Sequence, residues 1–351
     1  MVRCSGVTAR ATLDHLLALR VLDSMGTALA PAVVAACRAR GCAVPAAGEL
    51  SGHGNWVNAL TVLADGRLAS GDGSGEVRVW DAVAGGRATA VLRVSDRVSA
   101  LAAVFDGLAV GAGNYVEVWD VAGTSISKVE TISVHSGVLA LAVLADSRLA
   151  VGCDDGRVRV VDFDTSVMAA ELRPSGRVAA LAVLPNGTLA SGSDDGTVRV
   201  WNVRRKMCVS LMNGYTAAMP VRSLAVLADG RLAGGSAGGS VLLWDVDSRT
   251  CVATLIRHSS FVTALVALPD GRLVSATQSG GVIQLWDTRP AAAAVMAASR
   301  HAASTVPTTV LAHMPNSTRG LVQLLDGRLA CACTDTDEVF LLEVPPPAAY
   351  E

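Results

Sequence analysis

Few residues in this chain have types and spacing that could carry out chemistry. Gly234-Gly235-Ser236-Ala237-Gly238 satisfies G-x-S-x-G, which in hydrolases sets a serine on a sharp turn between a strand and a helix. Here the segment runs on into "SVLLW", whose alternation reads as a strand, so a turn is expected in place of a nucleophile elbow. The glycine-rich "GDGSG" at 71–75 also precedes a strand and lacks the Lys-Ser/Thr ending and the helix N-terminus that cradle a phosphate. The acidic pairs Asp154-Asp155 and Asp194-Asp195 could suit metal binding or acid–base work, but both stand at the same place in a recurring phrase and read as turn chemistry. Six histidines are scattered with no H-x-x-x-H pair, and the eight cysteines form no C-x-x-C with a second pair, so zinc-ligand spacing is absent. The expectation is a non-enzyme with no catalytic residue, no metal and no cofactor.

The recurring phrase defines the elements. "LASGSDDGTVRVWN" (189–202) returns at 68–81, 108–120, 149–162, 232–245, 273–287 and 329–343, which makes seven copies. Their closing residues Trp80, Trp119, Val161, Trp201, Trp244, Trp286 and Leu342 are spaced by 39, 42, 40, 43, 42 and 56 residues. That is the period of four-stranded propeller blades, with one insertion. Within a copy such as "VAALAVLPNGTLASGS" (178–193), two apolar runs flank Pro-Asn-Gly, a hairpin turn rich in residues that tolerate positive φ. The turn Asp194-Asp195-Gly196 then leads to a third strand, with Val198 and Val200 on one face, and a looser fourth run such as "CVSLM" follows. A four-stranded sheet this small cannot bury its apolar faces alone, so stacking seven copies around an axis is expected. The seventh copy offers three strands and "PAAGELSGHGNWV" (45–57) offers a fourth, so the two ends should share one blade. The fold class is all-β, a seven-bladed β-propeller with a short N-terminal helical extension.

Gly-His before a first strand and Trp-Asp at the close of a third resemble the WD-repeat family over roughly residues 45 to 343. The resemblance implies a support inside each blade made of a loop His, a strand Ser or Thr, a turn Asp and the Trp. Carried over by position, His53, Ser70 and Trp80 match in blade one, with Ser74 where Asp is expected. Blade three carries His135 and Asp155 with Val161 for Trp, and blade four carries Asp195 and Trp201 without the His. Blades five and six have Gly238 and Ser279 or Gly280 at the Asp position, so no blade holds the full set.

Outside the ring, Leu13, Leu16, Leu17, Val21 and Met25 fall at helical spacing, and Pro31 to Arg40 reads as a second helix. The expected division is a helical extension over 1–42, the propeller over 43–345 and a tail over 346–351. Two helices before a propeller are similar to the F-box arrangement of ubiquitin-ligase receptors; a packing cap and a transit-like segment are the other readings. The Ala-rich insertion at 289–307 belongs between the third and fourth strands of blade six.

The 29 basic and 31 acidic residues leave a net charge of −2 and no broad positive field, so nucleic-acid binding is not expected. The longest apolar run, Ala28 to Cys37, has ten residues and includes Pro31, too short for a membrane span. Asp14, Asp23 and the lack of a clean apolar centre argue against a secretory signal. Five cysteines lie in repeat strands, where thiols commonly act as small buried hydrophobes, which suits a reducing compartment. A cytoplasmic or nuclear location is expected.

What remains is surface. In the family, the resemblance implies, the upper rim grips other proteins. The residues flanking the first apolar position of each first strand there include Trp56 and Asn58, Arg97, Arg177, Arg222, Phe261 and Arg319, and adjacent turns add Asp154, Asp194 and Asp335. Arginines beside exposed aromatics suit a protein or peptide partner, so the expected function is an interaction scaffold. The alternative is a substrate receptor of a cullin-type ubiquitin ligase, because "LWDTR" (285–289) and "DGTVRVWNVR" (195–204) each resemble the family's adaptor-docking box but for one residue. There Arg204 and Arg289 would make the contact.

Overall fold

The computed structural model describes residues 48–347 apart from 83–86, 105–106, 123–125, 164, 166, 213–218, 257, 290–307, 315–316 and 334–336. The expected N-terminal helices, nearly all of the insertion, Asp335 and Cys4, Cys37 and Cys42 lie outside the described residues.

Each blade starts from one hairpin. Leu63 N–H donates to the Arg67 carbonyl at 2.8 Å and Gly66 N–H to the Leu63 carbonyl at 2.9 Å, and the same pair of bonds recurs from Leu144, Leu184, Leu227, Leu268 and Leu324. The turn needs a positive φ at its fourth residue, supplied by Gly66, Gly187, Gly230, Gly271 and Gly327 and, in blade three, by Ser147 at 68°. The described strands form seven antiparallel four-stranded sheets, each in sequential order except the last.

The seven first strands, Val57–Val62, Val98–Val104, Val138–Val143, Val178–Val183, Val221–Val226, Val262–Ala267 and Thr318–Gln323, each touch the next, and the seventh touches the first. Blade-to-blade approach is close. A methyl group at Gly71, Gly111 or Gly235 would sit 2.4, 2.5 or 2.5 Å from Cγ1 of Val98, Val138 or Val262 on the next blade. These glycines stand one residue before the end of the second strand, in "SG", "VG" and "GG", so a missing side chain is what lets adjacent sheets mesh. The buried apolar residues accordingly gather in seven clusters, one at each junction of neighbouring blades.

The ring closes as the sequence implied. Gly48–Leu50 lies antiparallel to Val339–Leu342, with Gly48 opposite Leu341 and Leu50 opposite Val339, completing the seventh sheet. Leu50 is buried in the junction between blades seven and one beside Trp80, Leu324 and Leu341.

Arginines of the hairpin turns brace the opposite, lower face. Arg67, Arg231, Arg272 and Arg328 are each gripped by the turn aspartate two residues before, Asp65, Asp229, Asp270 and Asp326. Each then donates to a carbonyl just beyond the third strand of the next blade: Arg67 to Val121, Arg231 to Thr288, Arg272 to Pro345 at 2.7 Å and Arg328 to Ala82 at 2.8 Å. Charged donors on backbone oxygens are among the stronger neutral-acceptor bonds.

Closure makes a testable demand. Leu50→Ala keeps the closing ladder but empties its pocket and should cost about 2–4 kcal/mol in denaturant unfolding. Deleting residues 1–52 should lower the melting temperature further, whereas a chain lacking residues 1–40 keeps the closing strand and should melt as the full chain does. Equal melting of the two truncations would remove the closing role of Gly48–Leu50.

Candidate functional site

The polar groups inside the blades are consumed by the framework. In blade one Trp80 Nε1–H donates to Ser70 Oγ at 2.7 Å, Ser70 lies 2.6 Å from His53 Nε2, and His53 Nδ1 lies 2.9 Å from Asp72 Oδ2. One tautomer satisfies the whole relay: Nδ1–H donates to Asp72 and Nε2 accepts from Ser70. Blade one therefore has the full set of four groups, against expectation. The acid is not at position 74 but comes from Asp72, at the end of the second strand, whose other oxygen accepts from Ser74 and from the Glu76 N–H. Burial lowers the His53 pKa, opposed by the hydrogen bond to Asp72; burial alone would raise the Asp72 pKa, but its hydrogen bonds from Ser74, Glu76 and His53 bring it below the usual value.

Blade six repeats the motif without the acid. Trp286 Nε1–H donates to Ser275 Oγ at 2.7 Å and Ser275 lies 2.6 Å from His258 Nε2. His258 stands four residues before Val262, as His53 stands four before Val57, a spacing that could have revealed it. His135, carried over for blade three, stands three before Val138, and it is exposed with φ 57°. Asp155 does not meet it and instead holds Arg159 at 2.6 and 3.0 Å. In blade four Trp201 donates to Ser191 at 2.8 Å. In blade two Val110 takes the serine's place, and among the described residues the buried Trp119 Nε1 has no hydrogen-bond partner.

The chemistry-like motifs resolve as framework too. Ser236 of G-x-S-x-G is buried at the end of a second strand, and its hydroxyl donates to the Ser240 carbonyl at 3.2 Å. His53, Asp72 and Glu76 bring donor atoms within 4.8 Å of one another. Both ring nitrogens are already bonded, however, and Glu76 is paired with Arg78 at 2.6 Å and Arg93 at 2.8 Å, which leaves no lone-pair set aimed at a cation. Burial pushes up the thiol pKa values of Cys153 and Cys331. Cys208 and Cys251 depart from the expected buried role and lie exposed on fourth strands.

The expected rim residues do sit where the first strands begin. Trp56 precedes Val57 with 52% of its surface exposed and Phe261 precedes Val262 with 45% exposed. The acidic pairs divide their labour. Asp155 and Asp195 cap their own turns, whereas Asp154 and Asp194 reach toward the next blade's first strand. Arg177 Nε pairs with Asp154, its NH1 lies 3.9 Å from Asp194, and Arg222 NH1 lies 3.3 Å from Asp194. Arg319 donates to Asn58 Oδ1 at 3.1 Å, and Asn58 Nδ2 donates to the Val98 carbonyl at 3.1 Å, linking blades seven, one and two. Arg97 is exposed and has no ion pair among the described residues. The rim is thus polarised: Arg177 and Arg222 are matched by carboxylates, whereas among the described residues Arg319 and Arg97, on the blades flanking Trp56, are not. Among the described residues, neither exposed ring stacks on another.

The buried histidines set a pH dependence. Burial lowers His258 to about 4. The unfolded chain binds that proton below about 6.5 and the folded chain only below about 4, so this group's contribution to stability falls as pH drops through that window. Relative to His258→Gln, the wild type should lose on the order of 2–3 kcal/mol between pH 6.5 and 4, read from urea unfolding at fixed pH values.

Comparison with known proteins agrees with this geometry. The family model described as WD domain, G-beta repeat matches residues 46–81, 126–162, 169–202, 206–245 and 249–287, just over half of the chain. The segments without a match centre on blade two, where Val110 and a shorter hairpin stand, and on blade seven, where Cys331 and Leu342 replace Ser and Trp. No curated protein matches the chain. Seven closed blades, the Trp-Ser-His-Asp relay of blade one and five matched repeats together make this chain a member of the WD-repeat family.

Proposed function

We propose that the protein is a non-enzymatic scaffold, acting in the cytoplasm or nucleus, whose upper rim binds a protein or peptide. Propellers of this family generally serve as interaction platforms and not as catalysts. The observation that carries the rim assignment is Trp56, more than half exposed where the first strand of blade one begins, with Arg97 and Arg319 on the flanking blades. A large amphipathic ring beside arginines that own no carboxylate loses little on binding and gains much, because burying Trp56 removes apolar surface from water and no internal ion pair must first break. Arg177 and Arg222 must give up Asp154 and Asp194 before they can meet a partner. The favoured segment is therefore one with acidic and apolar side chains, held over blades seven, one and two.

Affinity purification with the wild type and with a Trp56→Ala, Arg97→Ala, Arg319→Ala variant tests this. Partner recovery should fall about tenfold or more with the triple variant, and less with Arg177→Ala, Arg222→Ala. Equal recovery by the folded triple variant would show that the partner binds elsewhere.

A narrower reading makes the protein a substrate receptor of a cullin-type ubiquitin ligase. In its favour, the Arg204 side chain is 82% exposed just beyond the third strand of blade four, within 3.8 Å of Asp146. Arg289 suits it less, since its guanidinium is folded back on Asp287 at 2.6 and 2.9 Å. Under this reading the cullin adaptor co-precipitates with the wild type and not with Arg204→Ala. No adaptor with the wild type, or undiminished adaptor with the variant, removes it.

A further inference from the structure

The arginine arms of the lower face cross four of the seven junctions; in blade three Arg148 stands at the same position but folds back on Asp146, and at the junction of blades two and three a cavity stands. At the position of Arg67, Arg231, Arg272 and Arg328, just before the leucine that leads the second strand's apolar run, blade two carries Gly107 in a shortened hairpin. No arm therefore crosses from blade two toward Phe163, which stands two residues beyond the third-strand closing residue of blade three, as Val121, Thr288 and Ala82 do in their blades. A cavity of about 410 Å³ spans this interval, with Val104 and Gly107 on one side and Phe163 on the other. Val118, Trp119, Asp120, Ala122, Val129 and Glu130 complete its described walls.

Those walls match a guanidinium and its aliphatic stem. Trp119 is half-buried, whereas Trp80, Trp201, Trp244 and Trp286 are buried, so this blade alone among those five turns part of its indole outward. Its ring already attracts a cation, since Lys128 Nζ lies 5.7 Å from its centroid. Asp120 and Glu130 are acidic, and neither has an ion pair among the described residues; Asp120 Oδ1 accepts only the Ala122 N–H, at 3.0 Å. Blade four also lacks the arm, with Thr188 at that position, but its junction holds a cavity of about 150 Å³ with no aromatic wall and with Arg231 already on its lining. The blade-two cavity alone of the two combines room, an aromatic face and uncompensated carboxylates.

We propose that this cavity receives an arginine side chain from a partner peptide, supplied in trans at a junction where four others have an arginine in cis. The site lies on the face opposite the upper rim and stands or falls independently of the rim. Stacking on Trp119 and pairing with Asp120 and Glu130 favour a planar, permanently charged group; the same geometry discriminates against a neutral urea of equal shape.

The test uses the full chain with ¹⁵N-labelled indoles, titrated with N-acetyl-arginine amide, N-acetyl-lysine amide and N-acetyl-citrulline amide, the Trp119 resonance being assigned from Trp119→Phe. The Trp119 signal should shift saturably with the arginine amide and weakly or not at all with the other two. In Asp120→Asn, Glu130→Gln, two substitutions outside the buried core, the affinity should fall roughly tenfold with the melting temperature unchanged. No Trp119 shift with the arginine amide, an equal response to citrulline or lysine, or undiminished affinity in the folded double variant overturns the proposal.

Discussion

The structure depends on how closely one blade can approach the next. At Gly71, Gly111 and Gly235, one residue before their second strands end, the space a methyl group would occupy is taken by a valine of the following first strand. That contact brings two small sheets near enough to share an apolar cluster, and each junction has such a cluster. A four-stranded sheet alone would leave both faces in water; meshing with a neighbour on each side covers them, and meshing seven times leaves no open end once Gly48–Leu50 joins the last sheet.

Inside this frame the polar groups survive or vanish in pairs. Ser and Trp occur together in blades one, four and six, Val151 and Val161 replace both in blade three, and Cys331 and Leu342 replace both in blade seven. The asymmetry of hydrogen-bond energetics explains the pattern: replacing both partners by apolar groups costs little, while removing one strands the other without a partner. Two blades break it differently. In blade five Gly234 stands in place of the serine and the Trp244 ring fills the space above it, within 2.7 Å of where a side chain would begin. In blade two Val110 leaves the Trp119 N–H without an acceptor among the described residues, in the same blade that lacks the lower arginine arm. This blade departs furthest from the repeat, and its unusual features lie on the face away from the rim.

Because the interior is spent on support, what distinguishes the surface is which charges remain uncompensated. The lower arginines are committed to turn aspartates and neighbouring carbonyls, and on the rim Arg177 and Arg222 are committed to Asp154 and Asp194. Such pairs stiffen loops more than they stabilise the fold. Among the described residues Arg97 and Arg319, on the blades flanking Trp56, have no such carboxylate partner, so charge pairing on the rim is uneven.

The amino-acid sequence by itself determined the strands, the hairpins, the number of blades and the pairing of the two ends, because these rest on local periodicity and on turn residues whose backbone preferences act within a few positions. It also placed Trp56, Arg97, Arg177, Arg222 and Phe261 correctly at the starts of first strands, since the repeat register puts them there. Only the tertiary structure decided which side chains meet. Asp72 and not position 74 completes the blade-one relay, His258 is buried on Ser275 while His135 faces water, and two rim arginines are neutralised by aspartates of the preceding blade. Each outcome turns on the reach of a side chain across a strand end or a blade junction, a distance of a few ångströms that a repeat pattern does not encode.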